Sequence, residues 1–176
     1  TAPNFCKKLN CEVILVNDRS TDGTDSILKE FKSKYDNLIQ IDLNESNDVL
    51  KGKRNALIHG VSIASKKMLL LSDADCKPNS EFWIRDMMNA VRPKTDIILG
   101  HAPFYRSKGL LQYLFHFDNS FTAIKYFSAY AIGYPYMGVG RNLAYHSEEF
   151  FNTNGFINHI KIRSGDDDLF INEVAT

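Results

Sequence analysis

The sequence predicts an α/β fold with a largely parallel sheet, and three observations lead to that prediction. Strand-like and helix-like segments alternate along the chain, as in proteins whose parallel strands are joined by helices. The first strand, residues 12–16, is a continuous apolar run, which is typical of a strand covered on both faces. The chain has 176 residues, 44% apolar and 24% charged, which suits one packed domain or part of a larger one.

The elements of this fold are predicted in chain order from their apolar patterns. Further strands are expected at residues 38–43, 68–71 and 96–100. A helix with one apolar face should follow each of the first three strands. The apolar face of the first helix carries Ile27, Leu28, Phe31 and Tyr35, and that of the second carries Ala56, Leu57, Gly60, Ile63 and Ala64. The third helix carries Trp83, Met87, Ala90 and Val91. Residues 110–130 are helix-like but apolar on most sides, which predicts a helix that is buried or packs under a binding site. Short helices are expected at residues 147–152 and from Asp166 onwards.

Charge and composition exclude several classes of protein. Lys plus Arg and Asp plus Glu are both 21, so the chain is neutral and is expected to be neither a nucleic-acid binder nor a polybasic membrane module. No secretory signal is expected in residues 1–10, and no transmembrane helix, because Gly133 and Pro135 interrupt the longest charge-free apolar stretch. The three cysteines, Cys6, Cys11 and Cys76, lack CxxC spacing, which predicts free thiols in a reducing compartment.

Two carboxylates follow the third predicted strand. Asp73 and Asp75 come directly after the apolar run 68–71, at the strand end where open α/β sheets bind ligands. Mg²⁺ and Mn²⁺ prefer oxygen ligands, and they can take further oxygens from a substrate diphosphate. The pair therefore predicts a divalent-metal site, and the alternative is a solvated turn that caps the next helix.

Two polar segments are candidates for nucleotide contacts. Residues 18–24 resemble the start of an EF-hand loop, but Lys29 stands where calcium would require a bidentate Glu. A loop that binds a base or a ribose fits better, since a carboxylate accepts hydrogen bonds from imide and hydroxyl groups. Residues 51–54, Lys-Gly-Lys-Arg, begin a helix and are a candidate phosphate contact, with a solvated basic turn as the alternative.

Three adjacent carboxylates, Asp166, Asp167 and Asp168, open the last predicted helix. Neighbouring carboxylates repel one another unless a cation or a function holds them together. One interpretation is that they complement the helix dipole. The functional interpretation is that one of them acts as a general base.

Five motifs occur in an order that resembles the family 2 glycosyltransferases. Residues 16–24, VNDRSTDGT, are similar to the family's VDDxSxDGT loop, although Asn17 replaces its first Asp. Lys51-Gly52-Lys53 with Ala56-Leu57 resembles the GK…AL segment, and residues 72–75, SDAD, resemble the DxD motif. Residues 138–145, GVGRNLAY, are similar to the GxNxAY segment, and residues 165–169, GDDDL, resemble EDxDL with Gly165 in place of the Glu.

This resemblance implies a GT-A fold, a three-layer α/β/α sandwich with a mainly parallel, Rossmann-like sheet. It implies a metal-dependent, inverting transfer of a sugar from a nucleotide sugar, usually UDP-linked, to a hydroxyl acceptor. Donor binding would fall to Asp18, Ser20, Asp22, Lys53 and Asp73, with Asp18 at the base and Lys53 near the nucleotide. Asp75, together with Asp73, would bind Mn²⁺ or Mg²⁺.

The same resemblance assigns the acceptor side of the reaction. Gly140, Arg141 and Asn142 would lie near the acceptor. Asp166 matches the family's base, which deprotonates the acceptor hydroxyl, and Asp167 is the alternative base. The acceptor would be a carbohydrate or a lipid-linked sugar, in the synthesis of a polysaccharide, lipopolysaccharide or glycolipid, with no nucleic-acid partner.

The implied domain is a single catalytic domain over residues 1–176, with a nucleotide-sugar-binding half at 1–100 and an acceptor-binding half at 101–176. The family's first strand should precede Thr1, and the chain stops soon after the base motif, so truncation at both ends is expected. Many relatives carry membrane helices outside this region. The expected location is the cytoplasm, at the inner face of the cell membrane, with membrane contact through segments outside this chain.

Two other functions are compatible with some of these residues. A phosphatase of the haloacid dehalogenase type also places DxD after a strand, but Lys77 stands where that family has Thr or Val. The second alternative is a catalytically inactive domain that binds nucleotide sugars. The presence of all the acidic positions argues against it.

Overall fold

The computed structural model describes residues 10–43, 52–93, 95–105, 108–153 and 165–175, apart from the side chain of Asp166. The strands in this part of the chain are β1 (Val13–Asn17), β2 (Leu38–Asp42), β3 (Met68–Leu71), β4 (Ile97–Leu99) and β5 (Leu143–His146). The helices are α1 (Thr24–Lys34), α2 (Lys53–Ile63), α3 (Trp83–Asn89), α4 (Leu110–Ala131), α5 (Ser147–Asn152) and α6 (Asp166–Ala175). A single 3₁₀ turn, Gly140–Asn142, leads into β5.

The chain forms two compact units. The first comprises Thr1–Leu69 and Lys77–Ala90, and the second comprises Leu70–Cys76 and Val91–Thr176. In the first unit β1 and β2 are parallel, in a register that sets Asn17 opposite Asp42. The other sheet has the order β3-β5-β4, and β5 runs antiparallel to β4.

The first unit is built on a strand–helix–strand repeat, β1-α1-β2, followed by α2. Parallel strands need such a crossover connection, and the alternation of apolar runs in the sequence predicts it. Helix α2 packs on β1 through Gly60, where a Cβ would lie 3.4 Å from Cγ2 of Val16. Leu38 of β2 and Val61 of α2 are buried.

The second unit has an aromatic core around β5. Tyr145 of β5 lies 4.6 Å from Phe170 of α6 and 6.3 Å from Phe150 of α5, measured between ring centroids. Leu143, Ala144 and Ile171 complete this core, and each is almost fully buried. The core therefore fixes α6, the helix that begins with the three carboxylates, against β5, the strand that follows residues 138–142 (GVGRN, the glycine-rich segment).

Helix α4 is largely exposed, whereas the sequence predicts a helix that is buried or packs under a binding site, and the first of these alternatives is wrong. Only Ala123 and Tyr126 are buried among its 22 residues. Its large apolar side chains are mostly exposed, and they are Leu110, Leu111, Tyr113, Leu114, Phe115, Phe117, Phe121, Ile124, Phe127 and Tyr130. An apolar composition predicts burial only where the surrounding chain covers the helix, and here it covers one side. Among the described helices, none combines the length and the apolar character that crossing a membrane requires.

The cysteines also depart in part from expectation. Cys76 is a free thiol, as predicted, but Cys11 is disulfide-bonded. Cys6 lies outside the described residues. The argument from spacing fails for Cys11 because a disulfide requires only that two cysteines come close in space, with or without CxxC spacing.

Candidate functional site

Asn17 ends β1 and shapes the polar loop that follows. Its Nδ2 donates a hydrogen bond to Oδ1 of Asp42 at 3.0 Å, and its Oδ1 accepts one from the backbone N–H of Ser20 at 3.2 Å. Its backbone carbonyl accepts a hydrogen bond from the N–H of Leu43 at 2.9 Å. Asn17 is buried, and its amide group both donates and accepts a hydrogen bond there. A carboxylate at this position would instead face the carboxylate of Asp42.

Asp18 lies at the rim of this loop and pairs with the next residue. Its Oδ1 lies 2.6 Å from the Arg19 guanidinium. Arg19 adopts a left-handed backbone with φ of 60°, which is uncommon for a residue with a side chain. The turn thus presents Asp18, Arg19 and Ser20 at the carboxyl end of β1.

Asp22 lies just before the Gly23 N-cap of helix α1 and bonds to the first residue of the helix. Its Oδ1 accepts hydrogen bonds from the backbone N–H of Thr24 at 3.2 Å and from Thr24 Oγ1 at 2.6 Å. The Thr24 hydroxyl holds the pKa of the Asp22 carboxyl below its usual value. Gly23 between them has φ of 86°, which glycine adopts without steric cost. Asp22 therefore starts the helix, and this contact accounts for the Asp-Gly-Thr part of the loop motif.

The basic segment lies at the start of α2. Lys53 is the first residue of the helix and is exposed, whereas Arg54 and Asn55 are buried. Gly52 precedes them with φ of 71°, and its carbonyl accepts the hydrogen bond from the N–H of Ala56. Lys51 lies outside the described residues. The helix N-terminus therefore offers Lys53 as its exposed cation.

The Asp73-Ala74-Asp75 segment forms a turn in the second unit. The backbone N–H of Cys76 donates to the carbonyl of Asp73 at 3.0 Å, which closes the turn. Asp73 is half-buried and Asp75 is exposed. Burial raises the pKa of the Cys76 thiol, and the neighbouring Asp75 carboxylate raises it further. The turn holds two hard oxygen donors of negative charge close together.

These two donors fit a cation that keeps part of its hydration shell. Within the described residues no group of three or more His, Cys, Asp or Glu side chains is arranged around a common point. Asp73 and Asp75 would thus supply two carboxylate ligands, and water or substrate oxygens would supply the rest. Mg²⁺ usually keeps several waters and binds through only one or two carboxylates, so this partial set of protein ligands suits Mg²⁺ or Mn²⁺.

The acidic helix α6 is tied to the glycine-rich segment by two hydrogen bonds. Oδ2 of Asp167 accepts from the backbone N–H of Gly140 at 2.9 Å, and Oδ1 of Asp168 accepts from the N–H of Gly138 at 3.3 Å. Any Cβ on Gly140 would collide with the Asp167 carboxylate, and one on Gly138 would collide with Ile171. Both glycines are therefore required for close approach.

Asn142 joins the same segment to the end of β4. Its Nδ2 donates to the carbonyl of His101 at 2.8 Å, and its carbonyl accepts from the N–H of Gly100 at 2.9 Å. The buried Tyr126 hydroxyl donates to the carbonyl of Gly100 at 3.0 Å. The Asn of the motif thus has a structural role, in which it holds the loop in place.

Arg141 is the cation of this site. Its guanidinium lies 4.9 Å from the ring centroid of Phe104. Burial lowers the pKa of His101, and the charge of Arg141 lowers it further. The same charge opposes the rise in the pKa of Cys76, so Arg141 acts on the residue directly after Asp75. The half-buried Arg141 thus acts electrostatically on both His101 and Cys76.

The structure brings together only some of the residues expected at the site. Asp167 meets Gly140, while Asp18, Ser20, Asp22 and Lys53 belong to the other unit. Asp166 is the first residue of α6, and its side chain lies outside the described part. Gly138 and Asp168 both lie in motifs that the sequence indicates, but the hydrogen bond that joins them was not predicted.

A family model described as glycosyl transferase family 2 matches residues 4–152 of the chain. The matched range includes the loop after β1, the start of α2, the Asp73–Asp75 turn and the segment at 138–145.

Three similar proteins illustrate the range of relatives. The poly(ribitol-phosphate) beta-glucosyltransferase of Bacillus spizizenii is 29% identical over 112 residues, 64% of this chain and 17% of the relative. Glycosyltransferase AglE of Haloferax volcanii is 28% identical over 102 residues, 58% of this chain and 32% of the relative. The poly-beta-1,6-N-acetyl-D-glucosamine synthase of Staphylococcus epidermidis is 32% identical over 101 residues, 55% of this chain and 22% of the relative. The chain thus matches less than a third of the length of each.

Proposed function

The chain belongs to glycosyl transferase family 2 and has the GT-A fold of that family, and we propose that it transfers a sugar from a nucleotide-sugar donor to a hydroxyl group of a carbohydrate acceptor. The observation that carries this proposal is the pair of hydrogen bonds from Gly138 and Gly140 to Asp168 and Asp167. They join the acidic helix to the glycine-rich segment, so the two parts expected to receive the acceptor form one unit.

The acceptor side follows from this junction. Asp167 and Asp168 each accept a backbone hydrogen bond, which supports a role in positioning α6. We assign the general base to Asp166, the first residue of that helix. Its carboxylate takes the proton of the acceptor hydroxyl, whose oxygen forms a bond to the anomeric carbon. The bond from that carbon to the diphosphate oxygen breaks, the nucleotide diphosphate leaves, and the anomeric configuration inverts.

Binding of the donor is assigned to the polar loop and the start of α2. The exposed rim of the loop offers Asp18 and Ser20 to a base or a ribose. Lys53 adds a positive charge at a helix N-terminus, where phosphates bind favourably. Asp22 shapes the loop through its hydrogen bonds to Thr24, and its effect on donor binding is therefore indirect.

Asp73 and Asp75 are assigned to a divalent metal. Members of this family generally use such an ion, and the two carboxylates of the turn fit Mn²⁺ or Mg²⁺. When bound, the ion supplies Lewis-acid stabilisation of the charge on the leaving diphosphate. Arg141 brings a second cationic group to the neighbourhood of Asp75, which favours an anionic substrate there.

The wider role proposed for the protein is polysaccharide synthesis. Two relatives have names that specify the transfer of a sugar onto a polymer, or the synthesis of one. We propose UDP as the nucleotide of the donor, a carbohydrate or lipid-linked acceptor, and the cytoplasmic face of the cell membrane as the location.

The first test is calorimetric titration of UDP into the chain, with and without Mn²⁺. UDP binding that requires Mn²⁺, and that is lost in Asp75→Ala, supports the proposed donor and metal sites. Glu81→Ala is a matched control, because it removes an exposed carboxylate of the other unit. UDP binding that is unchanged by Mn²⁺ and by Asp75→Ala would contradict the metal assignment.

The second test separates an active enzyme from an inactive binding domain. Release of UDP from a panel of UDP-sugars is measured in the presence of carbohydrate acceptors. Asp166→Asn should retain UDP binding and lose on the order of 10²-fold or more of the acceptor-dependent rate. UDP binding without turnover in any arm would favour the inactive domain, and retained turnover in Asp166→Asn would move the base to Asp167.

A further inference from the structure

Arg141 lies between two residues that are tied to other parts of the same unit. On one side, the Gly140 N–H donates to the Asp167 carboxylate at 2.9 Å. On the other side, the Asn142 side chain donates to the carbonyl of His101 at 2.8 Å. These two bonds fix the short stretch of backbone from which the Arg141 side chain starts.

The side chain of Arg141 rests on an aromatic ring. Its guanidinium carbon lies 4.9 Å from the ring centroid of Phe104, inside the range of about 6 Å over which a cation is attracted to a ring. Arg141 is half-buried. An arginine that is already held in one position loses less conformational freedom when it binds a ligand than a mobile one does.

The guanidinium of Arg141 forms no ion pair with any carboxylate of the residues that the structure describes. Arg85 is the informative comparison. It stacks on the ring of Phe82 at 4.1 Å and also pairs with Asp86 at 3.1 Å. Arg141 makes the contact with a ring and lacks the contact with an acid. A half-buried charge is costly without a partner, so this guanidinium is suited to an anion that comes from a ligand.

The surroundings of Arg141 belong to the proposed reaction site. Its charge acts on Cys76, the residue directly after Asp75. Gly140, directly before it, bonds to Asp167 of the helix that carries the proposed base. Carboxylates repel an approaching phosphate unless a cation offsets their charge, and Arg141 supplies such a cation.

We propose that the guanidinium of Arg141 binds a phosphate group of a substrate. Its planar fork of N–H donors matches two phosphate oxygens and gives a bidentate, charge-assisted contact. The inference rests on the proposed function, which offers two sources of that group. One is the diphosphate of the donor, and the other is a phosphate carried by the acceptor.

The experiment is calorimetric titration of the unaltered chain and of Arg141→Ala in the presence of Mn²⁺. The probes are UDP, uridine, and glycerol 3-phosphate added to protein that already holds UDP. If the donor supplies the phosphate, Arg141→Ala should weaken UDP binding by about tenfold or more and leave uridine binding unchanged. If the acceptor supplies it, both proteins should bind UDP alike, and glycerol 3-phosphate should bind only to the unaltered chain.

Two further variants separate phosphate binding from a structural role. Arg141→Lys keeps the charge and loses the fork, so its phosphate affinity should lie between those of the unaltered chain and Arg141→Ala. Arg85→Ala is the matched control, because it removes an arginine that stacks on a phenylalanine ring in the other unit, and it should leave every affinity unchanged. Far-UV circular dichroism of each variant establishes that the fold is retained.

Equal affinities of the unaltered chain and Arg141→Ala for UDP and for glycerol 3-phosphate would overturn the proposal. So would a fall in uridine binding as large as the fall in UDP binding, because the loss would then be one of general structure. In either case UDP binding that is lost in Asp75→Ala would leave the proposed function standing. An unaltered chain that binds neither UDP nor glycerol 3-phosphate would overturn both.

Discussion

The Asp167 carboxylate lies directly on the backbone of Gly140, whose N–H donates to its Oδ2 at 2.9 Å. The two residues are 27 positions apart in the sequence, and each belongs to a separate motif. A side chain at position 140 would occupy the space of the carboxylate. The glycine of one motif and the acid of the other therefore depend on each other, and this dependence leads to the first prediction.

Gly140→Ala should displace Asp167 and destabilise the protein, whereas Gly60→Ala should not. The new Cβ at position 140 collides with a carboxylate that is bonded to the backbone N–H of the same residue, and overpacking of this kind costs about 1–3 kcal/mol. At position 60 the Cβ would make an ordinary contact with Val16 at 3.4 Å, and replacing a helical glycine by alanine contributes up to about 1 kcal/mol. Urea denaturation of both variants measures the difference.

The activity of the same two variants gives an independent readout. Gly140→Ala should also reduce acceptor-dependent release of UDP, because α6 loses its seat on the glycine-rich segment. Gly60→Ala should leave the rate close to that of the unaltered chain. Equal effects of the two substitutions on stability and on rate would show that the contact between Gly140 and Asp167 has no special role.

Asn17→Asp should destabilise the first unit at neutral pH. The substitution replaces an amide that donates to Asp42 with a second carboxylate at the same place, close to where β1 and β2 pair. Loss of the hydrogen bond and repulsion between the two carboxylates should lower the free energy of unfolding. The penalty should shrink in acid, because protonating one carboxyl of the pair restores a donor. Urea denaturation at neutral and acidic pH measures both effects.

The exchange Asn17→Asp with Asp42→Asn is the control for that prediction. It restores one amide and one carboxylate in the opposite order, so most of the lost stability should return. If the double variant is as unstable as Asn17→Asp, the loss comes from another property of position 17, such as its hydrogen bond from Ser20.

Local patterns made much of the fold predictable. The apolar runs that predict β1 to β4 identify strands within one or two residues of their bounds, and the βαβ connection follows from their alternation with helices. Strand β5 was missed, because its four residues follow a glycine-rich stretch and form a strand by pairing with β3 and β4, which are distant in the sequence. The exposure of α4 was also missed, since composition records that a helix is apolar and leaves open which neighbour covers it.

The sequence contains the motifs of the candidate site, whereas the contacts among their residues appear only in the structure. Four of the five motifs lie in the range that the family model matches, and the fifth, at residues 165–169, lies beyond it. The hydrogen bonds of Asp22 to Thr24 and of Asn142 to His101 are contacts that a linear pattern does not contain. The pairing of Gly138 with Asp168 spans 30 positions, which is beyond the reach of local spacing rules.

The stability of Asp168→Asn, measured relative to that of the unaltered chain, should increase as the pH rises. Burial raises the pKa of the Asp168 carboxyl, and the charge of Asp167 adds to the rise, although the Gly138 N–H opposes it. The folded state then holds the proton more tightly than the unfolded state. The protonated Asp168 carboxyl therefore stabilises the unaltered chain. This stabilisation is complete below the ordinary aspartate pKa of about 3.9 and is lost as the pH rises through the pKa of Asp168 in the folded state. The Asn side chain keeps an oxygen for the Gly138 N–H and has no charge to lose.

Urea denaturation of both proteins across this acidic range measures the effect. The free energy of unfolding of Asp168→Asn minus that of the unaltered chain should increase from acid to neutral pH. Parallel curves would mean that the Asp168 carboxyl titrates alike in the folded and unfolded states.

Phe170→Ala should unfold the second unit far more readily than Phe151→Ala. Phe170 is 3% exposed and packs 4.6 Å from the Tyr145 ring, whereas Phe151 is 57% exposed. Removing a buried phenylalanine leaves a cavity and costs about 3–5 kcal/mol, while an exposed one changes stability by about 0.5 kcal/mol or less. Phe170 also anchors α6, so the milder variant Phe170→Leu should loosen the contacts of Asp167 and Asp168 with the glycine-rich segment. Its acceptor-dependent rate should therefore fall while UDP affinity stays unchanged, and an equal fall in both would show a general loss of structure.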